Sequence, residues 1–406
     1  MRLTMFSDNF YPELGGIQDS IMVSARELGA RGHRILLFAP AAAPRDYARA
    51  NLSVGEVDLG PNVTIRRVPS LPVPSSSQQS RVVVPTGRCR REVALFRPDL
   101  IHSHTFLGLG LEALWAARRM GVPLVGTNHW AIGAFDFYAP FWRATVRRRS
   151  LRALTSYYQS CDWVSAPSRF TVAEMVANGL ARPCTVISNP IDTRRFHPVD
   201  PATRHALKAR FGLGPQTIVY AGRLAREKCI DVLIHAFATV CADRPDAILV
   251  LAGHGSARAP LAALAGRLGV GGRVRFTGTL GHDALAELLA AADLFAIASM
   301  SETQSMVLLQ AMACGLPVVG ARCGGLIEHI PPATGCLAEP GRSEDFLEKL
   351  TWLLVNQSAR ECMGAAARQF AEAFSITKIA DAWEDLYRRV MRNAVSHDPA
   401  RSAACN

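Results

Sequence analysis

The chain has 406 residues, 49% of them hydrophobic, with 45 basic and 34 acidic side chains and a formal net charge of +11. That is enough apolar content for two or three domains with sizeable cores, of which we expect two, and no stretch approaches the roughly 20 unbroken apolar residues of a membrane-spanning helix. The opening MRLTMFSDNF lacks the apolar centre of an export signal and the ten cysteines include no Cys-x-x-Cys pair, so we expect a cytoplasmic protein with free thiols, without disulfides or a zinc site. Charge is lopsided: residues 1–200 hold 24 Arg, no Lys and 15 acids, net +9, against +2 for the remainder. A basic half suits phosphate-bearing partners, nucleic acid or an anionic membrane face. No recognised nucleic-acid-binding module accompanies it, so no nucleic acid is expected.

In chain order, RLTMFS reads as a strand, DNFYPELGGI as a loop with paired glycines, QDSIMVSARELGARGH as a helix and RILLFAP as a second buried strand. Similar units recur at DLIHSH, LGLEALWAARRMG and PLVGTNH, and again at DWVSAPS, RFTVAEMVANGL and CTVISN, whereas residues 70–88 read as a long loop. After the polar, Pro-containing stretch near residues 190–215 a second set follows: QTIVYAGRL, AILVLAGHG, VRFTGTL, DLFAIAS, LPVVGA and GCLAEP. Continuous apolar strands alternating with helices predict two doubly wound parallel sheets, an α/β fold with ligands outside the carboxyl ends of the strands, in a cleft between the domains. The expected boundaries are 1–195, 196–376, a last helix at 377–393 crossing back to the first domain, and a frayed tail at 394–406.

Several groups could carry chemistry. Arg223 and Lys228, in YAGRLAREKCID, follow a strand and offer point charges for a phosphate; an exposed basic turn is the bland alternative. Gly253 and Gly255 match two glycines of a dinucleotide fingerprint, but Arg258 occupies the third position. His102 and His104, two apart at a strand end, have no third ligand in view and read as ordinary hydrogen-bonded histidines. His129 follows a buried strand where the first sheet opens. No Asp-x-Asp occurs, so no carboxylate grip on a nucleotide-bound cation is visible.

Taken together and in this order, YPELGGI, GTNH, GRLAREK and SETQSMVLLQAMACGLPVV resemble the retaining GT-B glycosyltransferases of family 4. The resemblance implies transfer of a sugar from a nucleotide diphosphate, UDP above all, with retention, no metal and no other cofactor. It implies that Gly15 and Gly16 let backbone approach the donor, that His129 lies near the reacting sugar, and that Arg223 and Lys228 hold the diphosphate. Glu302 would bind sugar hydroxyls, and the segment Thr303, Ser305, Met306 and Val307 would face the phosphates at a helix start. The departing phosphate oxygen takes the acceptor's proton in this family, so no separate base is expected. Three positions depart from the family pattern: Cys229 and Ser305 where Gly is usual, and Gln310 for the second Glu, which normally binds ribose. Exchanging a charge-assisted hydrogen bond for a neutral one costs about 1 kcal/mol, roughly five- to tenfold in donor affinity.

Within the family, FSDNFYPELGGI, RRVPSLPVP, PDLIHSHTFLGLG and SETQ are most similar to the diacylglycerol glycosyltransferases, which implies a lipid acceptor. Independently, Arg143, Arg147, Arg148, Arg149 and Arg152 interleave with apolar residues over 141–160 with no acid before Asp162. Such a helix can lie on an anionic bilayer, each cation contributing about 1 kcal/mol, or can pack on its own domain with solvated arginines. A family member with a polysaccharide or other soluble acceptor, and a catalytically silent nucleotide- or membrane-binding module, are the alternatives.

Overall fold

A computed structural model describes residues 1–13, 15–50, 52–73, 81–130 and 143–396, with backbone only at 143–148, 395 and 396. The described chain forms two compact units: the first takes in residues up to 130, from 143 to 190 and from 376 on, and the second spans Ile191–Ser375.

In the first unit, β1 (Arg2–Phe6), β2 (Arg34–Pro40), β3 (Val63–Val68), β6 (Leu100–Ser103), β7 (Leu124–Thr127), β8 (Trp163–Ala166) and β9 (Cys184–Val186) build one sheet in the order β3-β2-β1-β6-β7-β8-β9. Every pairing in it is parallel. Strand order reverses between β1 and β6, and such a switch point leaves a crevice beyond the strand ends where ligands bind. The last helix, Ile376–Ser396, buries Ile379, Ala380, Trp383, Leu386, Tyr387 and Val390 among Leu3, Met5, Ile35 and Leu37 of β1 and β2. It runs three residues into the stretch read as a tail; residues 397–406 lie outside the described ones.

Two findings correct the sequence reading. The stretch 70–88 is not all loop: β4 (Leu71–Pro72) and β5 (Arg81–Val82) pair antiparallel, and Arg81 closes the hairpin with bonds to Ser70 and a 2.7 Å ion pair to buried Asp46. Two-residue strands carry no periodicity, and Asp46 lies 35 positions away, so no local signal marks them. The second unit begins at Ile191, not 196, because Ile191 bridges to Ser375 and is buried in the same core as Phe196.

In the second unit, β10 (Gln216–Ala221), β11 (Ala247–Ala252), β12 (Val274–Gly278), β13 (Leu294–Ile297), β14 (Val318–Ala321) and β15 (Gly335–Ala338) form a parallel sheet ordered β12-β11-β10-β13-β14-β15. β11 is buried on both faces, hence its unbroken AILVLA. The switch point falls between β10 and β13. Their C-terminal loops, carrying Arg223 and Glu302, therefore emerge side by side.

Candidate active site

In the second unit the switch point assembles the predicted cations and acid. After β10, the chain makes a short 3-10 turn, Arg226–Lys228, then a left-handed step at Cys229 into the helix Ile230–Asp243. Lys228 Nζ lies 2.6 Å from Glu302 Oε1, and both side chains are largely buried, 15% and 12% exposed. Arg223 leans on Glu227 at 2.9 Å, and the second carboxylate oxygen of this buried glutamate has no hydrogen-bond partner. Gly253 must be glycine for packing: with φ of +144°, a Cβ there would stand 1.9 Å from the carbonyl of Gly222. The apparent dinucleotide glycines thus serve the approach of two strand-end loops.

Glu302 opens the loop that leads into the helix Met306–Ala313. Ser305 caps that helix, its Oγ accepting from the Leu308 amide at 3.3 Å. Thr303, Ser305 and Met306 are buried and Val307 half-buried. Gln310 sits inward just over one turn into the helix with its Oε1 unpartnered. Two groups that the sequence did not single out hold this loop. The Gly325 amide donates to the Glu302 carbonyl at 2.9 Å, and a Cβ on Gly325 would stand 1.9 Å from the Thr303 carbonyl. His329 Nδ1 donates to the Gly325 carbonyl at 2.6 Å, which leaves Nε2 to accept from the Gln304 amide at 2.8 Å. Burial lowers the His329 pKa, consistent with that neutral ring.

In the first unit, Gly15 precedes the helix Gly16–Ala30 in extended backbone, and a Cβ there would meet only the far end of Gln18 at 2.7 Å. Asp8, just past β1, is another group missed, although an acid directly after a buried strand is a legible signal. It accepts from the Thr105 hydroxyl at 2.6 Å and the Leu109 amide at 3.0 Å, at the start of the helix Gly108–Met120. Burial nevertheless raises its pKa.

At the end of β6 and just beyond β7, the rings of His102, His104 and His129 lie in a row: the first pair is tilted with centroids 3.9 Å apart and the second stacked with centroids 5.5 Å apart. His102 is bonded to the Tyr387 hydroxyl at 2.8 Å and Thr127 at 2.6 Å, and His104 Nδ1 lies 3.3 Å from His129 Nε2. Burial pushes the pKa of His102 down to about 3 and that of His129 to about 4, so all three rings are neutral near pH 7. Among the described residues no group of three His, Cys, Asp or Glu is placed to hold a metal ion. Of the basic helix Arg143–Tyr158, Arg149 and Arg152 are exposed, whereas the side chains of Arg143, Arg147 and Arg148 lie outside the described residues.

Comparison with known proteins adds the family. Residues 14–195 match the model described as Glycosyltransferase Family 4, and residues 204–370 that of Glycosyl transferases group 1. D-inositol 3-phosphate glycosyltransferase of Rhodococcus jostii is 30% identical over 414 residues, covering 96% of this chain and 88% of that protein. The GDP-mannose-dependent alpha-mannosyltransferase of Mycobacterium tuberculosis is 29% identical over 367 residues, covering 90% and 91%. Sulfoquinovosyl transferase SQD2 of Arabidopsis thaliana is 30% identical over 313 residues, 75% of this chain; the chain spans only 59% of that relative's length. Among solved structures, HepE of Anabaena in complex with UDP-glucose superposes with a TM-score of 0.76 at 21% identity, covering 96% of this chain and 100% of that one.

Proposed function

Because the chain belongs to the family 4 glycosyltransferases and shares their GT-B fold, we propose that it moves a hexose from a UDP-sugar, with retention and without a metal, to a lipid such as diacylglycerol or a glycosyl-diacylglycerol at the cytoplasmic membrane face. The observation that carries the donor reading is the Lys228–Glu302 pair at 2.6 Å. A diphosphate competes with Glu302 for Lys228, and the carboxylate it releases is free to accept hydrogen bonds from sugar hydroxyls. Charge then builds on the leaving diphosphate beside Lys228 and Arg223, where a fixed cation stabilises it most in a water-poor site. Gly15 has no steric need for glycine within its own unit, which fits a role for bare backbone against a ligand. The solved relative bound to UDP-glucose supports a uridine donor. The exposed Arg149 and Arg152 support a membrane acceptor; no helix among the described residues is long and apolar enough to cross a bilayer.

A soluble phosphorylated polyol is the second reading for the acceptor, favoured by the near full-length D-inositol 3-phosphate relative. Radiolabelled UDP-glucose, UDP-galactose and GDP-mannose, each offered with diacylglycerol in anionic vesicles or with D-inositol 3-phosphate, separate the readings. Transfer to lipid from a UDP-sugar is the expected result, and Lys228→Ala should lower it about 100-fold or more. Turnover by that variant near the wild-type rate would contradict the diphosphate clamp; product only from inositol phosphate would replace the lipid reading.

A further inference from the structure

Two ion pairs stand at the switch point of the second unit, and they differ in one respect. Lys228 and Glu302 are buried alike, whereas the Glu227 side chain is 2% exposed and its partner Arg223 42%. Among the described residues the Glu227 carboxylate accepts a single hydrogen bond, at Oε1 from Arg223 at 2.9 Å, and its Oε2 accepts none. A carboxylate withdrawn from water is costly unless paired, so the acid holds its arginine close. The acid itself sits on fixed backbone. Its carbonyl accepts from the Met300 amide at 3.2 Å, and the next amide, that of Lys228, donates to the Ala225 carbonyl at 3.1 Å. The Tyr220 hydroxyl donates to the Arg223 carbonyl at 2.9 Å, so the arginine is held at its backbone and at its guanidinium, with a flexible stem between.

We propose that Glu227 is a positioning residue for the donor diphosphate: it anchors the Arg223 guanidinium where the diphosphate meets it, so that the cation is in place before charge builds on the leaving group. The inference rests on the reading of Arg223 as a diphosphate-binding cation. Glu227 touches no substrate in this scheme; it acts through Arg223. An unanchored arginine samples many rotamers, and a cation stabilises developing charge most when it does not have to reorganise. Keeping the anchor does not use up the cation, because a guanidinium carries five N–H donors and Glu227 takes one, on Nη2. Lys228 works differently: in the proposed function it leaves Glu302 for the diphosphate, whereas Arg223 keeps Glu227 throughout.

The test is calorimetric titration of the full chain with UDP. Arg223→Ala should weaken UDP about ten- to hundredfold, the worth of a charge-assisted hydrogen bond, and Glu227→Ala at least about tenfold although it removes a negative charge. The double variant should bind within about threefold of Arg223→Ala, because the two residues act as one unit. Glu227→Gln keeps an acceptor for Arg223 and should stay within about fivefold of wild type. In Arg223→Ala, guanidinium chloride at about 20 mM should restore several-fold of the lost affinity against a sodium chloride control, and do nothing once Glu227 is also Ala. That rescue in Arg223→Ala also answers for a Glu227→Ala protein that folds poorly. A Glu227 that serves only the fold would lower the urea midpoint and leave UDP bound as tightly or more tightly, since losing an anion favours a diphosphate. Wild-type or tighter affinity in Glu227→Ala, losses that multiply in the double variant, or no guanidinium rescue of Arg223→Ala overturns the positioning role and leaves the Lys228 clamp standing. Unchanged affinity in Arg223→Ala overturns the reading of Arg223, and the inference with it.

Discussion

Cys229 stands at φ +46° and ψ +43° between the 3-10 turn and the helix Ile230–Asp243. Left-handed backbone costs a non-glycine residue about 1–2 kcal/mol, and glycine returns part of that gain through its freer unfolded chain. Cys229→Gly should therefore raise stability by about 0.5–1 kcal/mol, seen as a higher urea midpoint at unchanged slope. A lower midpoint would show that the thiol's packing outweighs the strain. The sequence revealed this departure from the family pattern, but not its geometry. Gln310 is the counterpart: its identity was legible, yet only the fold shows that Oε1 is buried without a partner, an acceptor left for a donor-side hydroxyl under the proposed function.

Elements were legible where burial is two-sided, because a parallel strand covered by helices is a continuous apolar run, as in RILLFAP of β2 and AILVLA of β11. The β4–β5 hairpin was not, since its closure depends on the distant Arg81–Asp46 pair. The loop 302–305 takes its shape from another element. Gly325, at φ −67°, has ordinary backbone angles and is confined purely by the Thr303 carbonyl 1.9 Å from where a Cβ would stand. Backbone cannot yield as a side chain end does, so Gly325→Ala should cost about 1–3 kcal/mol of stability and displace the Glu302 loop. Calorimetric titration with the UDP-sugar donor should then show affinity reduced about tenfold or more; wild-type affinity in a folded Gly325→Ala protein would mean that the loop is held by other contacts.

For the molecule as a whole, the buried histidines set a limit in acid. Their folded pKa values lie below the ordinary value of 6.5, at about 3 for His102 and about 4 for His129. Between pH 6.5 and about 4 the unfolded chain binds protons that the folded chain refuses, so stability falls as pH falls, by roughly 1 kcal/mol per pH unit for each histidine. Asp8, whose pKa burial raises, acts in the opposite direction. Urea midpoints from pH 7 to 4.5 should decline steeply in the wild type and less so in His104→Asn; parallel curves would exclude the histidine stack as the cause.

The sequence by itself determined the alternation of strands and helices, the family, and the residue types at the switch points, because apolar runs, glycine loops and spaced motifs are local signals. Tertiary structure alone decided which of those residues meet. Lys228 and Glu302 are 74 positions apart, His104 and His129 25, Gln304 and His329 25, and His102 and Tyr387 285. Strand order, the close approach of glycine backbones and the return of the last helix to the first sheet bring each pair within hydrogen-bonding distance, and no local pattern records a partner that arrives from another strand.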